Sequence, residues 1–441
     1  MIDTAKLSNP STIIRTFAVR SIPWFATFTT ACHITANVFA NTVVIVGSPT
    51  PVEGPLAPIL RTTDDGQSWH LHPSSFSELR DVHFTDERNG FIAGANSPPS
   101  GTILQTSTWG ITWPTSVNET GTRLHAIDFV DSDNGWAAGN LGRVFKTSDG
   151  GANWTSVYVG ESRGLNTVDF IDTNTGWIGG DRSFIARTND GGDTWAIQTV
   201  NLSHPVITDL QFLDTNNGWA VTTSGQVLHT IDGGTTWDVQ SHIGFYQGLH
   251  FVDMTNGWVV GQSRDAVREG IIVRTDDGGI TWTTQSRGEA EILFDIDFLD
   301  HNLGWAVGQE GVILRTVDGG ENWIQQPTGV RNRLNAIAII PNLPGDFDRN
   351  NYVGAQDLNL VLFNWDKPWD TLPLAWKADV PSINVGTAEL NANLFNWTRG
   401  SSPSVPVPEA ASIYGAIIGL LGVSFFWPAL SNTCSRNSCV V

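Results

Sequence analysis

Cysteine is nearly absent from this chain. There are three in 441 residues, Cys32, Cys434 and Cys439, and none falls between residues 41 and 343. The middle of the protein therefore owes nothing to a disulfide framework or to a cysteine-ligated metal. Basic residues are also scarce, with 24 Lys and Arg against 44 Asp and Glu, a net charge of −20. That average field repels nucleic acid and anionic lipid and argues against both as partners. Tyrosine is rare too, at 4 residues against 19 tryptophans.

What is present is repetition. RTTDDGQSW (61–69), QTSTWGITW (105–113), KTSDGGANW (146–154), RTNDGGDTW (187–195), HTIDGGTTW (229–237), RTDDGGITW (274–282) and RTVDGGENW (315–323) are variants of one phrase. Their closing tryptophans are 44, 41, 41, 42, 45 and 41 residues apart. Each period holds four short β-prone runs separated by turn clusters, as in LHAIDFV, GWAAG, RVFKT and NWTSVYV of residues 124–160. Four strands in that length predict one blade of a propeller. The first unit begins at its second strand, TVVIVG (42–47), while an unmatched first-strand run, LNAIAII (334–340), closes the series. The simplest architecture is an all-β, seven-bladed propeller in which the chain's end supplies the inner strand of the blade formed by residues 42–73. Such closure leaves no free inner edge.

In six of the seven phrases an aspartate sits in a tight hairpin, where a carboxylate accepts backbone N–H groups and glycine supplies positive φ. The motif resembles the Asp-box of sialidase-like propellers, in which it is structural. Asp65, Asp149, Asp190, Asp232, Asp277 and Asp318 are accordingly expected to be framework and not catalysts. The whole unit, L-x-x-I-x-F-x-D, G-W-x-x-G and I-L-R-T-x-D-G-G-x-T-W, is similar to the photosystem II assembly/stability factor propellers across residues 41–340, with the second copy degenerate at Trp109. That resemblance implies a non-enzymatic binding role. No F/Y-R-I-P string occurs, which removes sialidase. Xyloglucanase-like glycoside hydrolases also use Asp-box propellers, so hydrolysis by two central acids stays the alternative.

One residue before each box threonine stand Arg61, Gln105, Lys146, Arg187, His229, Arg274 and Arg315. Pseudo-sevenfold symmetry places them at one radius, so Arg61, Lys146, Arg187, Arg274 and Arg315 form a candidate basic ring for anionic groups, and the resembled family carries a basic patch of repeat arginines. Internal pairing with the polar row of the first strands, which includes Asp128, Asp169 and Asp297, is the competing reading. Arg61 and Arg274 have no acid in that row of their own blades.

Beyond residue 343 the pattern changes. DFDRNNYVGAQD (346–357) spaces Asp346, Asp348, Asn350 and Asp357 as an EF-hand-type loop does, which predicts one bound Ca2+. The pattern VG-x-x-[DE]-LN-x-x-LFNW then recurs, and the duplication over 344–399 resembles a small α-helical dockerin module, which implies a cohesin-like partner. Residues 400–410 read as a linker. VPVPEA resembles a PEP-CTERM sorting signal, with Ala410 where a second proline is usual. Residues 411–427 are an uncharged 17-residue stretch, expected to be a transmembrane helix that holds the protein to the membrane, and 428–441 a tail. Residues 1–40, ending in V-F-A, read as an export segment. Together these readings predict an exported, surface-anchored scaffold in the bacterial cell envelope that binds a protein or a cell-wall glycan on one propeller face.

Overall fold

The computed structural model describes residues 41–340 apart from 51, 52, 55, 97–99, 121, 199, 201, 242, 243 and 289–291. The export segment, the calcium loop at Asp346, Asp348, Asn350 and Asp357, the dockerin-like duplication, the linker and the apolar stretch at 411–427 lie outside the described residues.

Seven antiparallel four-stranded sheets make up this part of the chain. Six run in simple meander order. The seventh, which we number blade one, joins Arg333–Ile340 as its inner strand to Thr42–Ser48, Pro58–Thr62 and His70–Pro73. Val44 pairs with Ala338 on one side and Arg61 on the other, so the ring closes by the mixed N- and C-terminal blade that the sequence predicted.

Strand alternation gives the molecule two faces. The inner strands begin on one face, here the entry face, which carries the connections between strands two and three and from blade to blade. The other, the box face, carries the one–two turns and the Asp-boxes. Blades three and four turn from strand two to three in three residues, Asn140–Gly142 and Asp181–Ser183, and blade seven in four, 309–312, whereas blade six extends its hairpin past Ser263 before Gly270.

Each Asp-box is a small hydrogen-bonded device. In blade three, Thr147 Oγ1 donates to Asp149 Oδ1 at 2.9 Å and accepts from the Gly151 N–H at 2.9 Å, and Asn153 N donates to the same carboxylate at 2.8 Å. Blades four to seven repeat this around Asp190, Asp232, Asp277 and Asp318. Blade one requires a correction: Asp64, not Asp65, takes the box role, accepting from Thr62 Oγ1 at 2.6 Å and Ser68 N at 2.9 Å. Asp65 occupies the first-glycine position at φ 56°, and its carboxylate accepts from Asn41 N at 2.8 Å. Blade two fills the aspartate's place with Thr108 and puts Trp109 at the glycine position, also at φ 56°.

Blades are cemented by aromatic sandwiches. Trp136 stacks on Phe170 of the next blade at 3.6 Å between centroids, and Trp195 meets Phe170 edge-on at 5.9 Å. The same triplet recurs as Trp177–Phe212–Trp237, Trp219–Phe251–Trp282 and Trp258–Phe298–Trp323. Burial of such rings contributes about 2–3 kcal/mol each, and stacking about 0.5–1.5 kcal/mol more. At blade one the sandwich is replaced by aliphatics, Ile339 beside Trp305 and Val44 behind Phe84.

Candidate functional site

The basic row stands at one register position, as the repeat predicts, but its members reach sideways. Each lies opposite the strand-two residue of its own blade, as Arg274 does Trp258 and Arg187 does Trp177. Arg187, Arg274 and Arg315 lie over those indoles at 5.0, 5.5 and 5.4 Å. Their polar ends continue to the following blade. Arg274 Nη1 donates to Gly319 O at 3.3 Å, Arg61 Nε to Trp109 O at 2.6 Å, Lys146 pairs with Asp193, and Arg315 approaches Asp65 at 3.8 Å. Thus Arg61 and Arg274, the two without an acid in their own blades, bond backbone carbonyls.

These contacts complete a pattern around the ring. The first-glycine carbonyl of a box accepts the indole N–H of the preceding blade: Trp136 to Gly191 at 2.9 Å, Trp177 to Gly233 at 3.0 Å, Trp219 to Gly278 and Trp258 to Gly319 at 3.1 Å. Blades one and two have Val44 and Phe91 in place of that tryptophan. There the basic-row position substitutes, with Arg61 on Trp109 O and Gln105 Nε2 on Gly150 O at 2.9 Å. At the seam from blade seven to blade one, Trp305 Nε1 is buried with no hydrogen-bond partner.

The inner strands line a central channel with two tiers of carboxylates. Asp128, Asp169 and Asp297 are the predicted row, alongside His83, Gln211 and His250. Above them stand Asp81, Asp209 and Asp295, which the sequence reading missed. Their signal was available as an acid two residues before the row in RDVHF, TDLQF and FDIDF, at the bulge that shifts register in each inner strand. None of these acids pairs with the basic row. Each ties its blade to the next: Asp81 Oδ2 accepts Ile127 N at 2.8 Å, Asp128 Phe170 N at 2.7 Å, Asp169 Phe212 N at 2.7 Å, Asp209 Leu249 N at 3.0 Å, Asp295 Ile337 N at 2.9 Å and Asp297 Ile339 N at 3.0 Å. Burial raises Asp81 to about 6 and Asp209 to about 7, against the N–H bonds that pull them down. Asp295 rises well above its ordinary value by burial and by repulsion from Asp209 and Asp81. Among the described residues, no group of three or more His, Cys, Asp or Glu side chains is placed to hold a metal ion.

The entry-face mouth of this channel is different in charge. The inner strands of blades one, two and three start there with Arg333, with Glu78 and Arg80, and with Arg123 and His125. Glu78 bridges Arg80 at 2.5 Å and Arg123 at 3.3 Å. Arg333 lies 3.8 Å over the Phe294 ring, and burial with the neighbouring Arg80 lowers it to about 10. Burial and Arg80 likewise lower His125. The Nε atoms of Arg80 and Arg333 are buried without partners. Arg80 and Arg123 share the Glu78 carboxylate and Arg333 stands over the Phe294 ring, so the mouth carries excess positive charge in a strongly acidic protein. Beside it a cleft of about 360 Å³ is lined by Ser48, Pro49, Ser77, Glu78, Ala95, Asn96 and Arg123. The repeat hid this cluster from the sequence, because Arg333, Glu78 and Arg123 share one row position of mixed charge, Arg80 stands two residues further on, and blade one contributes from the other end of the chain.

No protein of curated function matches the chain. Among solved structures, similar folds include YCF48 bound to D1 peptide, 21% identical with a TM-score of 0.45 over 56% of this chain and 81% of that one. YCF48 from Cyanidioschyzon merolae is 18% identical, with a TM-score of 0.46 over 58% and 86%. The GH74 enzyme of Niastella koreensis is 14% identical, with a TM-score of 0.40 over 66% and 64%. The sequence profile described as Photosynthesis system II assembly factor YCF48 matches residues 62–164, 160–239, 199–286, 238–325 and 282–377, which together span more than half of the chain. The chain belongs to the photosystem II assembly factor YCF48 family.

Proposed function

We propose that this protein is a non-enzymatic binding factor that holds an acidic segment of a partner protein at the entry-face mouth. The observation that carries this reading is the cluster of Arg80, Arg123 and Arg333 around the single carboxylate of Glu78, opening beside a cleft. Planar guanidinium groups suit carboxylate ligands. The channel acids favour this reading over hydrolysis. Their oxygens already link successive blades, so a base or nucleophile drawn from them would act at the expense of the ring. An exported, membrane-held location and a Ca2+ on Asp346, Asp348, Asn350 and Asp357 belong to the same proposal.

The test uses the full-length protein and a labelled Asp/Glu-rich peptide, followed by fluorescence anisotropy at increasing salt. The parent protein binds, and affinity falls as salt rises. Arg80→Gln/Arg333→Gln weakens binding about tenfold or more, in line with losing charge-assisted bonds of about 1.5–3 kcal/mol. Arg61→Glu/Arg274→Glu instead lowers the unfolding midpoint and leaves the affinity of the folded protein intact. The reverse pattern would move the site to the basic row, and retention of neutral polysaccharide with no peptide binding would overturn the reading.

Calcium gives a second expected outcome. Titration of the metal-free full-length protein shows one Ca2+ site, and Asp346→Ala/Asp348→Ala abolishes it, because an EF-hand-type loop depends on its charged oxygens. A site that survives the double substitution is not this loop.

A further inference from the structure

We propose that the box face of blades five to seven is a second docking surface, for a lysine- or arginine-bearing protein segment with an apolar side. Four large aliphatic side chains stand out in the turns of these three consecutive blades. Ile231 is 70% exposed, Met254 41%, Ile280 78% and Val317 55%. Ile231 and Val317 directly precede a box aspartate, Ile280 follows the second box glycine, and Met254 lies in the one–two turn beneath the blade-six box. At the position of Ile231 and Val317, blades three and four carry Ser148 and Asn189. An aliphatic residue is therefore not what the hairpin itself requires.

The turns that present these residues are pre-formed. Asp232 accepts from Thr236 N and Asp277 from Thr281 N, both at 2.8 Å, and the Gly278 N–H donates to Thr255 O at 2.9 Å. A ligand meeting them orders little backbone, which favours affinity per contact.

Charge selects the occupant. The one–two turns of blades five and six carry Asp214 and Asp253, and the three boxes add Asp232, Asp276, Asp277 and Asp318, with no lysine or arginine in any of these turns. The hydrogen bonds of the boxes and turns keep Asp232, Asp253, Asp277 and Asp318 below their ordinary range, so this rim stays ionised at working pH. An anionic membrane is repelled by such a rim, and so is the box face of a second copy. A cationic, partly apolar segment gains on both counts.

The experiment uses the full-length protein and two labelled amphipathic peptides of one length, alternating Lys/Leu and Glu/Leu at helical spacing. The Lys/Leu peptide binds and the Glu/Leu peptide does not. Ile231→Ser/Ile280→Ser/Val317→Ser weakens that binding at least tenfold without lowering the unfolding midpoint, since the three side chains are exposed. Asp276→Lys weakens it independently. Arg80→Gln/Arg333→Gln has no effect here, so failure of the entry-face reading is distinguishable from failure of this one. Equal affinity in the triple-serine variant overturns the proposal. So does concentration-dependent self-association of the parent that the triple variant abolishes, or preferential capture by phosphatidylglycerol vesicles.

Discussion

Trp136→Ala is expected to lower the unfolding free energy by about 3–5 kcal/mol, the range for removing a large aromatic from a closed core. Its indole is 3% exposed, stacks on Phe170 at 3.6 Å and donates to Gly191 O at 2.9 Å. The alanine variant leaves a cavity between blades three and four and a carbonyl without its donor. Trp136→Phe keeps most of the stacking and loses only the hydrogen bond, for about 1–2 kcal/mol. Trp305→Phe provides the contrast, because its buried Nε1 has no partner to lose. That substitution should be close to neutral, or slightly stabilising, since an unsatisfied N–H leaves the core. Urea unfolding of the four proteins checks the series. If Trp305→Phe costs as much as Trp136→Phe, the seam between blades seven and one is not the under-tied one.

The second large effect is on pH. Stability should peak at about pH 4–5 and fall by several kcal/mol as pH rises to 8. Asp81 and Asp209 titrate at about 6 and about 7 in the folded protein, against an ordinary 3.8. Between pH 4 and 7 the folded chain therefore binds protons that the unfolded chain has already released, and stability declines as pH rises through that window. Each pKa unit corresponds to about 1.4 kcal/mol, and partial exposure of these acids to the channel lumen reduces that figure. Asp295 is shifted in the same direction. On the acid side the sign reverses. The boxes hold their carboxylates below the ordinary range, with Asp190 at about 2, so stability present above pH 4 is lost as they protonate. Thermal midpoints from pH 3 to pH 8 measure both limbs. Asp209→Asn should flatten the upper limb, and a midpoint that climbs steadily from pH 4 to pH 8 would contradict the assignment.

Most of the fold was legible because the forces within a blade are local. The box, its glycines and the turn aspartates act over two to four residues, as when Thr62, Asp64 and Ser68 close one hairpin, and each copy repeats the evidence. Closure was legible from arithmetic, since the first unit lacked an inner strand that the last residues supplied. The assignment of the box role to Asp65 failed for a related reason. Two adjacent aspartates satisfy the same local pattern, and only the hydrogen bonds separate Asp64 in the box from Asp65 at the glycine position.

The basic row shows where sequence alone runs out. Its spacing was correct, but spacing does not say where a guanidinium ends, and these ends lie on the following blade.

By itself, then, the sequence determined the number of blades, their strand order, the framework role of the boxes and the closing strand, because turn chemistry and strand alternation act at short range. The tertiary structure decided which polar groups meet. Ties from blade to blade join residues about one repeat apart, and the mouth brings Arg333 beside Arg80 only because the ring is closed, as the contact of Asn335 Nδ2 with Leu79 O across 256 residues records. No local rule sets those pairings. They follow from packing each sheet against the next and from joining the two ends of the propeller in one blade.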